Sequence, residues 1–401
     1  MDAIVLSGGA SYGAYEVGVM KALFNGKANL PESVAGDIFT GTSVGAFNAS
    51  VMAMEPDSVA GVRRLEKIWL NRIAESESGK GNGALHFRGN PLVYLSSRAL
   101  AAPMQSLAGM LRDGLFFAEY SWKRAATFFS STRGILTRTA EVIDVSSFIS
   151  VEPLRQTIAR EISCEAIEKS PKLLRIIATD WENGLWIVYG EDKNKICADM
   201  ILASAAIPGI FPAVSLGNTT CVDGGITMNT PLGPAIEAGA DTIHIVSLDT
   251  SLHPVPASEL NSTLEALMRT FSIVIATAIR EDMTTAMWIN RGVEALERAK
   301  AGADLSNPEI RDFVRVAAQL EERAKQHGQL RRITIHHYHP NESLGGPLGL
   351  LDFRREALVE LIARGYADAA AHDCVKSGCV VPARAVATAE AIAGKQSQAW
   401  S

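Results

Sequence analysis

The chain has 401 residues, 47% of them hydrophobic, a formal net charge of −6 and a sequence pI near 5.8. That is enough apolar material for a large core, and the acidic balance argues against a general nucleic-acid binder. Five cysteines, odd in number and with no C-x-x-C pair, fit a reducing compartment better than a disulfide framework. Met1-Asp2-Ala3 lacks the basic start of a signal peptide, and even the run from Phe271 to Ile279 falls far short of the ~20 residues a membrane span needs. A soluble, cytoplasmic protein with at most peripheral membrane contact is expected.

The first predicted strand, Ala3–Leu6, runs into Ser7-Gly8-Gly9-Ala10-Ser11-Tyr12-Gly13 and then a helix. A glycine-rich turn opening a helix presents backbone N–H groups to a negative charge. Gly8 and Gly9 are adjacent, so the G-x-G-x-x-G register is missing, as is the G-K-[ST] ending of a nucleotide loop. A second strand, Asp37–Thr40, leads into Gly41-Thr42-Ser43-Val44-Gly45 and a helix over Ala46–Met54. G-x-S-x-G between strand and helix is the nucleophile elbow: Gly41 and Gly45 allow the tight turn, and Ser43 is raised at its tip, ahead of free helix N–H groups. After the polar loop Glu75–Gly83, residues 88–138 carry seven Lys and Arg, among them Arg88, Lys123 and Arg138, against only Asp113 and Glu119. They are also rich in aromatics from Tyr94 to Phe129. This segment reads either as a helical subdomain filling its own core or as a cap that meets a lipid surface.

Further strands are predicted at Leu174–Ala178, Leu185–Val188, Cys221–Val222, Thr242–Ser247 and Arg332–His336. The second of these follows Glu182-Asn183-Gly184 and reads as the return arm of a hairpin. Glu259–Arg298 is helical in character. Strands alternating with helical patterns predict an α/β fold, three layers deep, around a mixed but mostly parallel sheet. No Pro/Ser-rich linker divides the chain, so one domain is expected over 1–375, with 72–150 as an insertion and 376–401 as a tail.

Asp223 closes an apolar run, and Gly224-Gly225 turns the chain beside it. An anion-binding turn, a serine elbow and a turn-borne Asp, in that order, resemble the patatin-like phospholipases. Similar segments are Ile176–Asp180, Ala203–Pro212, and Leu351-Asp352-Phe353 followed by the helix through Gly365–Ala369. The resemblance implies lipid acyl hydrolysis by a Ser–Asp dyad without histidine. Ser43 would be the nucleophile, Asp223 its base, and the N–H groups of Gly8, Gly9 and Ala10 the oxyanion hole. Gly13, Gly41, Gly45, Gly224 and Gly225 would support the turns. It implies acyl lipids as substrates and neither metal nor cofactor; acyl transfer, or lipid binding by a weakened site, are the alternatives.

The family has a third glycine where this chain has Ala10, which is tolerable only at negative φ. It has a cation where this chain has Tyr12, and that loss removes a positive charge near the oxyanion. A carboxylate is a poor base at its ordinary pKa near 4, so the dyad requires Asp223 to be desolvated and within reach of Ser43. Asn229 and Pro231 are expected to start the next helix and orient the Asp turn. His336, His337 and His339 read as a wet strand edge, with a triad base or a metal site as the lesser readings, and His244 as a satisfied core residue.

Overall fold

The computed structural model describes residues 1–30, 32–75, 82–87, 149–192, 194–208, 210–248, 306–326, 332–345 and 349–381, with parts of 266–301. The basic aromatic segment 88–138, most of the Glu259–Arg298 helix and the tail from 382 lie outside the described residues.

Ten strands are described: β1 Asp2–Leu6, β2 Ile38–Thr42, β3 His86–Phe87, β4 Ile149–Ser150, β5 Leu173–Asp180, β6 Trp186–Tyr189, β7 Val214–Leu216, β8 Thr219–Asp223, β9 Thr242–Val246 and β10 Thr334–Tyr338. The main sheet runs β10-β9-β1-β2-β5-β8-β7, with β6 also paired to β5; β3 and β4 form a separate pair. From β10 to β5 every pairing is parallel, whereas β6 and β8 join β5, and β7 joins β8, antiparallel. The sheet is thus mixed and mostly parallel, and β5–β6 forms the hairpin that Gly184 closes in the left-handed region at φ 68°. The three-residue β7 carries too short an apolar pattern to be read from sequence.

The continuous apolar runs of β1 and β2 follow from their central place, since a parallel strand is covered on both faces. Alternation divides them between two cores. Ile4, Leu6 and Phe39 point to one face, while Ala3, Val5 and Ile38 meet Leu232, Ala235, Ile243 and Ile335 on the other. The first face is covered by α1 Gly13–Phe24, α2 Val44–Met54 and α3 Ser58–Ile68. Further along the chain come α4 Glu152–Glu161, α5 Cys164–Lys169, α6 Ala198–Ser204, α7 Leu232–Glu237, α8 Pro308–Gln326 and α9 Arg355–Ala370. The α1–α9 contact is close because both helices present glycine there. A Cβ on Gly18 would stand 2.0 Å from the Ile362 carbonyl oxygen, and one on Gly365 would stand 2.1 Å from that of Tyr15. Among the described residues no helix is long and apolar enough to cross a membrane.

This topology positions the site. β1 and β2 are parallel neighbours with Leu6 opposite Gly41, so the turns that follow them emerge side by side at the carboxyl edge of the sheet. On β5, Ile177 pairs with Thr42 and the next residue, Ala178, pairs with Asp223. The residue after Thr42 and the end of β8 therefore arrive at one place.

Candidate active site

Ser43 caps α2 with φ 56° and ψ −122°, a backbone conformation that non-glycine residues rarely hold. The surroundings enforce it. A Cβ on Gly41 would lie 2.3 Å from the Gly45 carbonyl oxygen, and one on Gly45 would lie 2.3 Å from that of Leu6. The elbow thus has room for glycine alone on either side of the serine. The Ser43 N–H donates to Ser204 Oγ at 2.9 Å, and the Asp223 N–H to the Ala206 carbonyl at 2.9 Å. The end of α6 thereby fixes both residues, a tie between distant segments that no local pattern announces.

Asp223 is fully buried. Its Oδ1 accepts the Gly225 N–H at 2.7 Å, and Thr179 Oγ1 donates to its carbonyl at 2.9 Å. Its Oδ2 is buried with no hydrogen-bond partner of normal geometry. The Ser43 hydroxyl is the side-chain group that bears on the carboxyl. Burial, the largest influence, pushes the carboxyl up to about 7, while the Gly225 N–H and the Ser43 hydroxyl act the other way by favouring its charged form.

The segment after Asp223 clamps both other turns. Asn229 Oδ1 accepts the Gly8 N–H at 3.0 Å, and its Nδ2 donates to the Gly8 carbonyl at 3.4 Å. Ser7 and Thr230 hydroxyls meet at 2.8 Å, and Thr42 Oγ1 donates to the Met228 carbonyl at 2.8 Å. Pro231 immediately precedes α7, so Asn229 and Pro231 do lead into the next helix. The Gly8 N–H, expected to face an oxyanion, is therefore taken by Asn229. The Gly9 and Ala10 N–H groups meet no acceptor among the described residues.

Ala10 departs from expectation in its backbone. Its φ is +47°, not negative. The turn is drawn into this shape from outside: the Ser11 N–H donates to the Leu350 carbonyl at 3.0 Å and its hydroxyl to that of Gly349 at 2.8 Å. Tyr12 is buried against the same segment, near Gly345 and Gly349. Beneath the turn, Trp69 Nε1 donates to Asn48 Oδ1 at 2.9 Å and Asn48 Nδ2 to Glu16 Oε2 at 2.8 Å. Burial holds the Glu16 carboxyl well above its usual range, which suits a neutral acid in this network. Glu16, Asn48 and Ser204 sit inside helices, where neither their burial nor their partners can be read from sequence.

Ser43 opens onto an apolar cleft walled by Val44, Phe47, Leu154, Ile201, Phe211 and Leu351 among others. No histidine side chain lines it among the described residues. β10, bearing His336 and His337, lies three strand spacings from β2, about 14 Å at ~4.8 Å each. His336 is not on a wet edge: it is buried against His244, whose ring stacks 5.2 Å from its own. His244 is buried as expected, its Nδ1 3.4 Å from the Tyr338 hydroxyl.

Comparisons with known proteins bear on the same residues. No curated protein gives a significant match to the sequence. Among solved structures the chain is similar to VipD from Legionella pneumophila, at 15% identity and a TM-score of 0.38, with 92% of this chain and 66% of that one covered. It is similar to the type III effector protein ExoU at 18% identity and a TM-score of 0.24, covering 80% of this chain and 63% of the other. It thus spans just under two thirds of each. The family model described as patatin-like phospholipase matches residues 4–236, from β1 through the elbow and the Asp223 turn into α7. That is more than half of the chain, which belongs to the patatin-like phospholipase family.

Proposed function

We propose that the protein is a serine lipid acyl hydrolase in which Asp223 activates Ser43. The observation that carries this reading is the buried carboxyl with a partnerless oxygen beside a serine held at positive φ. A pKa near 7 gives Asp223 the basicity that an ordinary carboxylate lacks, while leaving much of it deprotonated at neutral pH.

Asp223 takes the hydroxyl proton as Ser43 Oγ attacks the ester carbonyl. The oxyanion is met by the Gly9 and Ala10 N–H groups, each worth roughly 3 kcal/mol of barrier. The proton passes from Asp223 to the departing alcohol, leaving an acyl-Ser43 ester. Water, deprotonated by Asp223, attacks that ester, and the released proton restores Ser43 as the fatty acid leaves. The apolar walls of the cleft suit the acyl chain.

The test is a panel of phospholipids and of short-to-long acyl esters, run on the protein and on Ser43→Ala. Fatty-acid release that rises with acyl length and vanishes in the variant supports the reading; equal release by both preparations overturns it. Added alcohol or thiol acceptors distinguish transfer from hydrolysis, because only a transferase diverts the acyl group to them.

A further inference from the structure

A second cluster of reactive side chains lies at the other end of the sheet. After α9 the chain turns back to the edge strand β10, where Ile335 and Val380 exchange backbone hydrogen bonds at 2.8 and 2.9 Å. This pairing lies beyond residue 375, where the tail was expected to begin. Four side chains meet beside it: His336 from β10, and His372, Cys374 and Cys379 from the returning segment. One ligand-type atom from each lies within 4.8 Å of all the others.

We propose that His336, His372, Cys374 and Cys379 form a tetrahedral zinc site that straps the returning segment to β10. The distances match one common centre. Cys374 Sγ stands 3.5 Å from His336 Nδ1 and 3.6 Å from His372 Nε2, and Cys379 Sγ stands 3.4 Å from that same Nε2. In a tetrahedron with Zn–S of about 2.3 Å and Zn–N of about 2.0–2.1 Å, the sulfur–nitrogen edge is about 3.5–3.6 Å. Three sulfur–nitrogen separations fall at or close to that edge length, and every remaining pair of ligand-type atoms lies within 4.8 Å.

The surroundings are those of ligands rather than of free thiols. The His337 N–H donates to Cys379 Sγ at 3.2 Å, a bond that favours a thiolate. The other ring nitrogen of His372 lies 3.5 Å from the Ser377 hydroxyl, the outer contact that fixes a ligating imidazole. Tyr338 packs its ring 4.4 Å from that of His372. Both histidines are buried and both cysteines partly so. Two thiolates and two neutral imidazoles balance the charge of a divalent ion, so the loaded site is neutral, as its burial demands. On loading, the two thiols give up their protons to solvent. The S₂N₂ set favours zinc among divalent metals, and Cys374-x₄-Cys379 falls within the spacing of structural zinc sites. The two cysteines stand at C-x₄-C, wider than the C-x-x-C pattern, and His336 joins them only through the fold.

The experiment uses the whole 401-residue chain, produced with zinc in the medium and purified under reducing, chelator-free conditions. Elemental analysis is expected to find one zinc per chain, dropping at least tenfold in Cys374→Ser/Cys379→Ser and unchanged in Cys197→Ser, whose thiol is exposed elsewhere. The unsubstituted protein, stripped and titrated with cobalt(II), is expected to develop the intense visible bands of a tetrahedral ion and a thiolate charge-transfer band, both saturating at one equivalent. This arm decides the matter if the double variant does not fold. Zinc content no higher than in the double variant, absence of the tetrahedral cobalt spectrum, or a Cys374–Cys379 disulfide in the reduced preparation would each overturn the proposal. Ser43→Ala should load as much zinc as the unsubstituted protein, which keeps this test separate from that of the esterase chemistry.

Discussion

The Ser43–Asp223 cleft and the His/Cys cluster on β10 handle buried polar atoms in opposite ways. In the cleft, Asp223 Oδ2 is left without a normal partner and Ser43 is kept at a strained φ. At the sheet edge, Cys374 joins His336 to His372 and His372 joins Cys374 to Cys379, while the His337 N–H and the Ser377 hydroxyl flank the set. An unmet carboxylate oxygen stores basicity, whereas a saturated set stores rigidity. The first is what a reacting site needs, and the second is what holds a chain end in place.

Substitutions sharpen that contrast, beginning with the largest effect. Ser43→Ala should lower kcat for ester hydrolysis on the order of 10⁴–10⁶-fold while circular dichroism and thermal unfolding stay close to the original. Asp223→Asn should lower it on the order of 10²–10⁴-fold, the range ascribed to a lost general base. Retention of full activity in the Asn variant would assign the base elsewhere.

The same Asn variant should be the more stable protein above neutral pH. Burial raises the folded carboxyl to about 7, so between about pH 4 and 7 the folded chain holds a proton that the unfolded chain has lost. Stability therefore falls as pH rises through that window and stays lowered above it, by up to a few kcal/mol. Urea unfolding at pH 5 and pH 8 should show the original protein losing stability between the two, with a smaller loss in Asp223→Asn. An acid held for its reactivity should carry this cost; one held by its turn N–H groups alone should not.

Asn229→Ala removes the amide that clamps the Gly8 peptide, and should cost on the order of 10²-fold in kcat by displacing the Gly9 and Ala10 donors. KM should move little. The smallest effect belongs to Ala10→Gly, which relieves a positive φ and should stabilise the fold by up to about 1 kcal/mol in urea titration, partly offset by the chain entropy of glycine.

What could be read from sequence divides along the same line. The elbow was legible because its pattern is local: Gly41 and Gly45 flank Ser43 within five residues, and Gly41 answers the Gly45 carbonyl inside the turn, although the contact that excludes a side chain at Gly45 comes from Leu6 on the neighbouring strand. The alternating layers were legible because parallel strands buried on both faces read as unbroken apolar runs. The φ of Ala10 was not, since the pull comes from Gly349 and Leu350, far along the chain. Nor was the loss of the Gly8 N–H to Asn229, a contact 221 residues apart. The His/Cys cluster was hidden for the same reason, because Cys374 and His336 stand 38 positions apart and only the return of the chain to β10 unites them.

The dyad is tested most directly by the rate at which a fluorophosphonate modifies the protein as a function of pH, with the adduct located by mass spectrometry. The expected result is a single adduct on Ser43 whose rate climbs as pH rises through about 7, and which forms far more slowly, and without that inflection, in Asp223→Asn. An adduct at another residue, or equal rates in the two proteins, would contradict the pairing of Ser43 with Asp223.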